Sequence, residues 1–329
     1  MIDAHHHLWD LAAREHRWLM GGQSWATDDE LVPLRRSFTL ADLAPLTAAA
    51  GETGTVVIQT VAEPWETPDL LALAAGRDPY AAGKDESTQG GPAGASPGSP
   101  AAAGGLLAGV VGWTDLAAPD VREAVGRLRA LPGGEFLCGI RHPVLAEADP
   151  DWLARPTVVR GLHALAETGL AFDIVTLPHQ LPAAVAAARS VPELSFVLDH
   201  LGGPPVDAGE EGGDGPWPEA VRSLATLPNV TCKLSGAHSS PVRASDLRPY
   251  YETVLAAFGP GRLMFGTDWP VSTLGGTYGQ VCEVYREVTA QLSAAERDAV
   301  YGRTARRVYQ LDMTLIGPLS KLDSIGEHT

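Results

Sequence analysis

The feature that most constrains the fold is a short apolar segment that recurs eight times along the chain. Most of these segments are continuously apolar rather than alternating, which is typical of parallel strands buried on both faces. Helical stretches separate most of them, and this alternation predicts a parallel sheet closed into a barrel. The predicted strands occupy residues 1–4, 55–61, 107–113, 136–140, 171–175, 195–198, 230–234 and 262–265.

The predicted fold class is therefore α/β, a single (β/α)8 TIM barrel. An open doubly wound sheet is the alternative, but its first strand is usually followed by a glycine-rich turn, and here histidines occupy that position. A chain of 329 residues is long enough for one such barrel domain. We predict that the barrel spans residues 1–311, with a flexible Gly-, Ala-, Ser- and Pro-rich insertion at 82–105 and a C-terminal tail at 312–329.

The net charge of -16 argues against nucleic acid and anionic membranes as partners. The cysteines are few, scattered and odd in number, so buried reduced thiols are expected at Cys138, Cys232 and Cys282. No apolar run reaches membrane-spanning length and no leader-like segment opens the chain, so we expect a cytoplasmic enzyme. The sequence leaves the oligomeric state open, a homo-oligomer included.

The first predicted strand leads directly into three histidines, His5, His6 and His7. Side chains alternate along a strand, so His5 and His7 are expected on one face and His6 on the other. Two imidazoles on one face can hold a metal ion or the polar end of a substrate. An expression tag is the alternative, but a tag usually has six histidines and no strand before it.

Polar and ionisable side chains recur where the predicted strands end, and barrel enzymes place their catalytic groups at that end. Gly266 and Thr267 end the eighth strand, and Asp268 then projects at its C-terminal end, in a place that neither strand propensity nor core packing favours for a carboxylate. The other candidates at strand ends are Trp113, Arg141, His179, His200, Lys233 and Trp269.

Each candidate also has a structural interpretation. Arg141 suits anion binding, whereas His179 lies several residues past its strand and fits a loop equally well. Lys233 either faces the mouth of the barrel or pairs with an acid there, because an unpaired buried ammonium is costly. Core packing explains Trp113 and Trp269 almost as well as a role in lining the pocket.

Other polar residues are expected to be structural. His142 alternates away from Arg141, and Asp115 and Asp173 are expected to anchor loops or histidines. The remaining histidines have no supporting pattern and are expected on the surface; they are His16, His163, His238 and His328.

Several segments together resemble the amidohydrolase superfamily, and more narrowly its branch of L-fucono-lactonase-like and other sugar lactonases, near 2-pyrone-4,6-dicarboxylate lactonase. The resemblance covers nearly the whole chain to about residue 311. It rests on the segments DAHHHLW from Asp3, GVVGWTDL from Gly109, GIRH from Gly139, FVLDHLG from Phe196, CKLSG from Cys232 and LMFGTDWP from Leu263.

This resemblance implies that Asp268 is the base that activates water and that Arg141 contacts the substrate carbonyl or carboxylate. His5, His7, His179 and His200 would line the same mouth. It also implies at most one divalent ion, with zinc the first candidate, held by His5, His7, His200 and Asp268; a reaction without metal stays open. The expected substrate is a small lactone.

The chain departs from the family pattern at two places. Gly203 stands where a lysine is common before the Pro-Pro pair, which puts any substrate contact of that lysine in doubt. Arg141 stands where the superfamily has a metal-bridging lysine on strand four, so a two-metal site is not expected.

The predicted reaction is hydrolysis of a sugar lactone ring, with Asp268 as base and Arg141, assisted by Lys233 or a histidine, stabilising the oxyanion. A metal-dependent decarboxylase of an aromatic acid is an alternative on the same barrel. A barrel without activity that serves as a binding protein is another, although retention of every polar strand end speaks against it.

Overall fold

The computed structural model describes residues 1–23, 25–79, 104–204, 216–236 and 242–316. Within these residues, eight parallel strands pair in chain order, each with the next, in one sheet. The strands are β1 Ile2–His6, β2 Gly54–Ile58, β3 Leu107–Gly112, β4 Leu137–His142, β5 Ala171–Ile174, β6 Phe196–Leu198, β7 Val230–Leu234 and β8 Leu263–Phe265. The predicted (β/α)8 TIM barrel and its eight strands are confirmed.

A helix follows each strand and packs on the outside of the sheet. These helices are α1 Leu40–Ala50, α2 Glu66–Ala74, α3 Val121–Arg129, α4 Pro156–Ala166, α5 Leu181–Ser190, α6 Trp217–Ala225, α7 Ala244–Phe258 and α8 Tyr278–Val288. A short helix, Asp28–Leu31, precedes α1, and three short helical pieces end the fold at Ala294–Asp298, Ala299–Arg303 and Thr304–Val308. No described helix is long and apolar enough to cross a membrane.

Two apolar clusters hold the barrel together. The larger lies between strands and helices and includes Phe172 and Phe196, whose rings meet edge to face. The smaller fills the interior of the strand ring with side chains such as Ala171, Val197 and Met264. Because side chains alternate along a strand, the residues two positions after Ala171 and Val197 also face the interior, nearer the C-terminal end.

The last helical pieces close the N-terminal end of the barrel. Thr304 and Arg307 donate hydrogen bonds to the carbonyl of Gly261, just before β8. Val308 and Tyr309 belong to the interior apolar cluster. The last residues of the fold therefore enter the ring of strands from its N-terminal end.

The ring closes where the first and last strands meet. His6 and Trp269 form a parallel bridge, and the His7 amide donates to the carbonyl of Trp269 at 2.6 Å. The Asp268 amide donates to the carbonyl of His5 at 2.7 Å. We call this junction the seam.

A register shift in β1 changes where its polar side chains point. Asp3 pairs with Thr55 but His6 pairs with Val57, so β1 has one extra residue, as in a β-bulge. Asp3 accordingly contacts Tyr278 of α8 outside the ring, although strict alternation would place it with His5. The bulge thus separates a structural carboxylate from the histidines that follow.

The three cysteines are buried and free, as expected. The predicted insertion at 82–105 lies outside the described residues except at its end, where the short helix Gly104–Leu106 leads into β3. The tail predicted at 312–329 is described only to residue 316. Residues 205–215, after β6, also lie outside the described residues.

Candidate active site

The backbone turns sharply at the end of β8 and directs Asp268 into the barrel mouth. Asp268 has a φ of 59°, in the left-handed region that Asp tolerates better than most residues. Gly266 lets β8 approach β1, because a Cβ on it would meet the His5 Cβ at 2.5 Å. Strain of this kind is concentrated at functional sites, and His200 also has a positive φ, of 54°.

His5, His7 and Asp268 meet across the seam. The Nε2 atoms of His5 and His7 are 3.3 Å apart, and Asp268 Oδ1 lies 3.5 Å from His5 Nε2 and 3.2 Å from His7 Nε2. His6 points away to Thr55, with 3.0 Å between His6 Nε2 and the Thr55 hydroxyl. The prediction that His5 and His7 share a face without His6 is confirmed.

His200 approaches the same cluster from β6. Its ring centroid lies 4.5 Å from that of His5, and its Nδ1 is 2.9 Å from the hydroxyl of Ser235. Gly236 makes room for this ring, because a Cβ there would meet the His200 Cβ at 2.6 Å. His200 thus contacts the ring of His5.

Beneath His5 lies a fully buried set of charges. Lys233 Nζ lies 2.6 Å from Asp173 Oδ2, 3.0 Å from Asp199 Oδ1 and 3.1 Å from His5 Nδ1. Burial works against the ammonium, but the two carboxylates outweigh it and raise the pKa of Lys233. Burial, assisted by the charge of Lys233, lowers the pKa of His5 well below its usual value, so His5 is neutral.

Asp199 ties this set to Arg141. Its Oδ2 accepts a hydrogen bond from Arg141 at 3.1 Å, and its Oδ1 lies 3.4 Å from His5 Nδ1. Burial alone would raise the pKa of Asp199, but Lys233, His5 and Arg141 hold it well below its usual value. Arg141 also donates to the backbone carbonyl of Gln59, and the side-chain amide of Gln59 donates to the backbone carbonyl of Arg141.

The match to known proteins is as extensive as the barrel itself. The profile of the amidohydrolase family matches residues 2–311. The chain belongs to the amidohydrolase family. It is 32% identical to an L-fucono-1,5-lactonase of Burkholderia ambifaria over 94% of this chain and 96% of that one. It is 34% identical to an L-fucono-1,5-lactonase of Burkholderia multivorans over the same shares.

A solved structure matches this amidohydrolase along most of its length. The structure is of an amidohydrolase from Burkholderia multivorans with bound zinc; it is 32% identical and has a TM-score of 0.78. The match covers 94% of this chain and 99% of the other. The predictions of the family and of an enzyme are therefore confirmed.

The residues at the seam of this amidohydrolase suit a single metal ion. Ligand atoms about 2.0–2.1 Å from a tetrahedral zinc lie about 3.3–3.4 Å apart, and the three atoms of His5, His7 and Asp268 have nearly this spacing. His7 Nδ1 faces the Ile58 carbonyl at 2.8 Å, which accepts only, so the lone pair of His7 is on Nε2. That lone pair and a carboxylate oxygen 3.2 Å away favour a cation or a proton between them.

His5 can join such a site only through one tautomer. To offer the Nε2 lone pair it must carry its proton on Nδ1, where Asp199 Oδ1 lies 3.4 Å away as acceptor, and it then gives up the hydrogen bond that Nδ1 accepts from Lys233 at 3.1 Å. His200 forms a second possible group of three with His5 and Asp199, rather than with His7 and Asp268. The four residues predicted to bind the metal, His5, His7, His200 and Asp268, thus do not form one group. His5, His7 and Asp268 form one possible site, and His200 belongs to another with His5 and Asp199.

Several predicted site residues lie elsewhere. His179 is exposed in the one-turn helix Pro178–Gln180, and within the described residues no hydrogen bond or ring contact joins it to the cluster. Trp269 is buried and meets Phe38 edge to face, so its indole packs in the core. Trp113 is half-buried and donates from Nε1 to His142 Nδ1 at 3.1 Å.

Lys233 is brought to the site but not to its surface. Its side chain is fully buried, and three protein groups surround its ammonium. Lys233 was predicted either to face the mouth or to pair with an acid, and the structure shows the pairing. Direct substrate binding by Lys233 would therefore require it to give up one of these partners.

The structural interpretation of His142 is confirmed, because it stacks on Trp152 and contacts Glu147 at 2.8 Å. Asp115 anchors its loop through the amide of Ala117. The expectation that His16 lies on the surface is wrong.

His16 is only 2% exposed, because its loop folds back and places the ring between Trp9 and Trp65. His163 is exposed and pairs with Glu193, as expected. His238 and His328 lie outside the described residues.

Asp199 and Gln59 are site residues that were not predicted from the sequence. Strand parity could have found Asp199, since it lies two residues after the inward-facing Val197. Gln59 follows β2 directly, but a single amide at a strand end is a weak signal. Tyr309 had no signal at all, because it reaches the polar interior from a helix at the other end of the chain.

Proposed function

We propose that this amidohydrolase hydrolyses a sugar lactone, with Asp268 as the base that activates water. The observation that carries the proposal is the approach of Asp268 Oδ1 to two imidazole nitrogens, 3.2 and 3.5 Å away, at the mouth of the barrel. The substrate class is supported by the two L-fucono-1,5-lactonases that align with nearly the whole chain.

The first requirement of the reaction is a nucleophile. A water molecule at the mouth would donate to Asp268, which takes its proton as the water attacks the lactone carbonyl. Asp268 is held for this role by the left-handed turn and by the hydrogen bond that its backbone amide donates to the His5 carbonyl. His7, fixed by the Ile58 carbonyl, presents its Nε2 lone pair to the carboxylate 3.2 Å away, so the two can hold a proton or a cation between them.

The second requirement is stabilisation of the charge that develops on the carbonyl oxygen. Arg141 lies beside His5, with 3.5 Å between its NH1 atom and His5 Nε2, and its side chain is 7% exposed. Asp199 and the Gln59 carbonyl fix the guanidinium in place before the substrate arrives. Donors that are already oriented lower the barrier because they need no rearrangement during the reaction.

The last requirement is a proton for the ring oxygen as it leaves. Asp268, protonated in the first step, returns that proton to the alkoxide. A divalent ion held by His5, His7 and Asp268 would, when bound, polarise the lactone carbonyl and make the water more acidic. His200 lies beside His5, and we assign it to the same mouth as a contact for substrate or metal.

A panel of substrates tests this function. Purified protein would be incubated with aldonolactones, uronolactones and lactones of deoxy sugars, and a pH indicator would follow the release of acid. Each assay would be run with added zinc, with a chelator and with neither. We expect hydrolysis of at least one sugar lactone well above the spontaneous rate. Turnover of no lactone, together with release of carbon dioxide from aromatic acids, would contradict the proposal and favour a decarboxylase.

A further inference from the structure

A polar chain crosses the interior of the barrel from its N-terminal end to the mouth. Tyr309, just after the last helix, donates its hydroxyl to Asp173 Oδ2 at 2.6 Å. The same oxygen accepts from Lys233 Nζ at 2.6 Å, and Lys233 lies 3.1 Å from His5 Nδ1. On its other side, His5 Nε2 lies 3.5 Å from Asp268 Oδ1.

Every link of this chain is shielded from water. Asp173, Lys233 and His5 are fully buried, and Tyr309 is 2% exposed. In such surroundings a polar side chain keeps one orientation as long as its partners are in place, and a lost partner is not replaced by solvent. The orientation of His5 therefore depends on groups that lie far from the substrate.

Tyr309 holds the end of this chain by two contacts. Its ring lies under the ammonium, with 5.4 Å between Lys233 Nζ and the ring centroid. Its hydroxyl fixes which oxygen of Asp173 faces Lys233, because Asp173 Oδ1 has no hydrogen-bond partner within the described residues. Without that hydroxyl, nothing distinguishes the two oxygens except Lys233 itself.

We propose that Tyr309 is a positioning residue for the reaction at the mouth: through Asp173 and Lys233, its hydroxyl holds His5 in the orientation that faces Asp268. This role rests on the proposed function only for its effect on turnover. The effect on His5 is a property of the fold and can be measured without any substrate.

Tyr309→Phe is the direct test, since it keeps the ring beneath Lys233 and removes only the hydroxyl. We expect kcat for the accepted lactone to fall about tenfold, the usual scale for removing a group that orients an active-site ligand. KM should stay within about twofold of the wild-type value, because no substrate contact is lost. The ¹⁵N resonances of the His5 ring, assigned by their absence in His5→Gln, should shift.

Tyr301→Phe is the matched control. It removes one hydroxyl hydrogen bond, to Thr289 at 2.9 Å, from the same C-terminal segment but outside the polar chain. It should leave both kcat and the His5 resonances unchanged. Asp173→Asn interrupts the polar chain at its middle while keeping the side-chain shape. It should likewise lower kcat and shift the His5 resonances, and it provides an independent test should Tyr309→Phe fold poorly.

Unchanged His5 resonances in folded Tyr309→Phe and Asp173→Asn would overturn the proposal, whatever happened to kcat. Shifted resonances with a wild-type kcat would overturn the role in turnover. If the wild-type protein hydrolysed no lactone, the proposed function would fail, while the His5 resonances would still decide whether Tyr309 positions this ring.

Discussion

Asp268 combines a strained backbone with a place between two imidazoles, and neither feature is required for packing a strand end. Its side chain is buried at the mouth, and its φ of 59° directs it there. A non-glycine residue in this region costs about 1–3 kcal/mol and persists where the surroundings enforce it. At Asp268, the seam hydrogen bonds do so.

Asp268→Asn should lower lactone hydrolysis by about two orders of magnitude or more, the scale expected for loss of a general base. The amide keeps the shape and tolerates the same φ, so the melting temperature should stay close to that of the wild type. Initial rates and thermal melting of the purified variant would check both. Asp115→Asn, a loop carboxylate outside the cluster, is the control and should retain full activity.

A folded Asp268→Asn with near wild-type rates on every accepted lactone would show that Asp268 is structural. The assignment of the water-activating base would then be wrong, although the fold and family would stand.

At the scale of the element, a tyrosine of α8 joins β1 to the turn between α1 and β2, because it contacts one buried carboxyl group from each. Tyr278 lies 2.7 Å from Glu52 and 3.1 Å from Asp3 through its single hydroxyl. Because one hydroxyl donates only once, one of the two carboxyls must carry a proton and donate to Tyr278. Burial, followed by the nearby charge of Asp3, raises the pKa of Glu52 well above its usual value and makes it that group.

This arrangement predicts how stability changes with pH. Glu52 binds its proton more tightly in the folded protein than in the unfolded chain, so its contribution is complete below the unfolded pKa near 4.5. That contribution is lost as the pH rises through the folded pKa. The amino group of Met1 and the charge of Arg286 oppose the shift without reversing it.

Glu52→Gln should therefore flatten the fall of melting temperature as the pH rises above the unfolded pKa near 4.5, since the amide donates to Tyr278 as the protonated acid does. Each unit of pKa shift carries about 1.4 kcal/mol. Scanning fluorimetry over this range would measure it. The control is Glu283→Gln, which changes an exposed carboxylate on the helix that carries Tyr278 and should follow the wild-type pH profile. A Glu52→Gln profile that runs parallel to the wild-type profile would exclude the shared proton.

The strands and the polar residues at their ends could be predicted because apolar runs and side-chain parity are local properties of the sequence. Parity fails at β1, where the bulge sends Asp3 outside the ring and His5 inside. It also gives no warning of His16, whose burial depends on how a loop folds back onto two tryptophans. The contact between Tyr309 and Asp173 spans 136 residues and depends on barrel closure.

At the scale of the whole molecule, the sequence between α2 and β3 is predicted to be an insertion into a complete barrel. Both flanking elements are in place, with Ala74 and Leu107 buried. Replacing residues 82–103 by a short Gly-Ser linker should leave melting temperature and lactone hydrolysis near their wild-type values. Loop closure depends weakly on length, at about 0.6 kcal/mol for each doubling.

A Gly-Ser segment of the original length at 82–103 is the control for composition. A large drop in melting temperature in the shortened variant, but not in this control, would mean that the length of the segment is needed by the fold.

The seam joins β1 to the segment that follows β8, since Thr267 donates to Asp3 across 264 residues and Asp268 meets His5 and His7 there. A growing polypeptide therefore has these histidines well before their carboxylate, which comes only with the segment after the eighth strand. Under the proposed mechanism, a product that ends before Asp268 is inert rather than partly active.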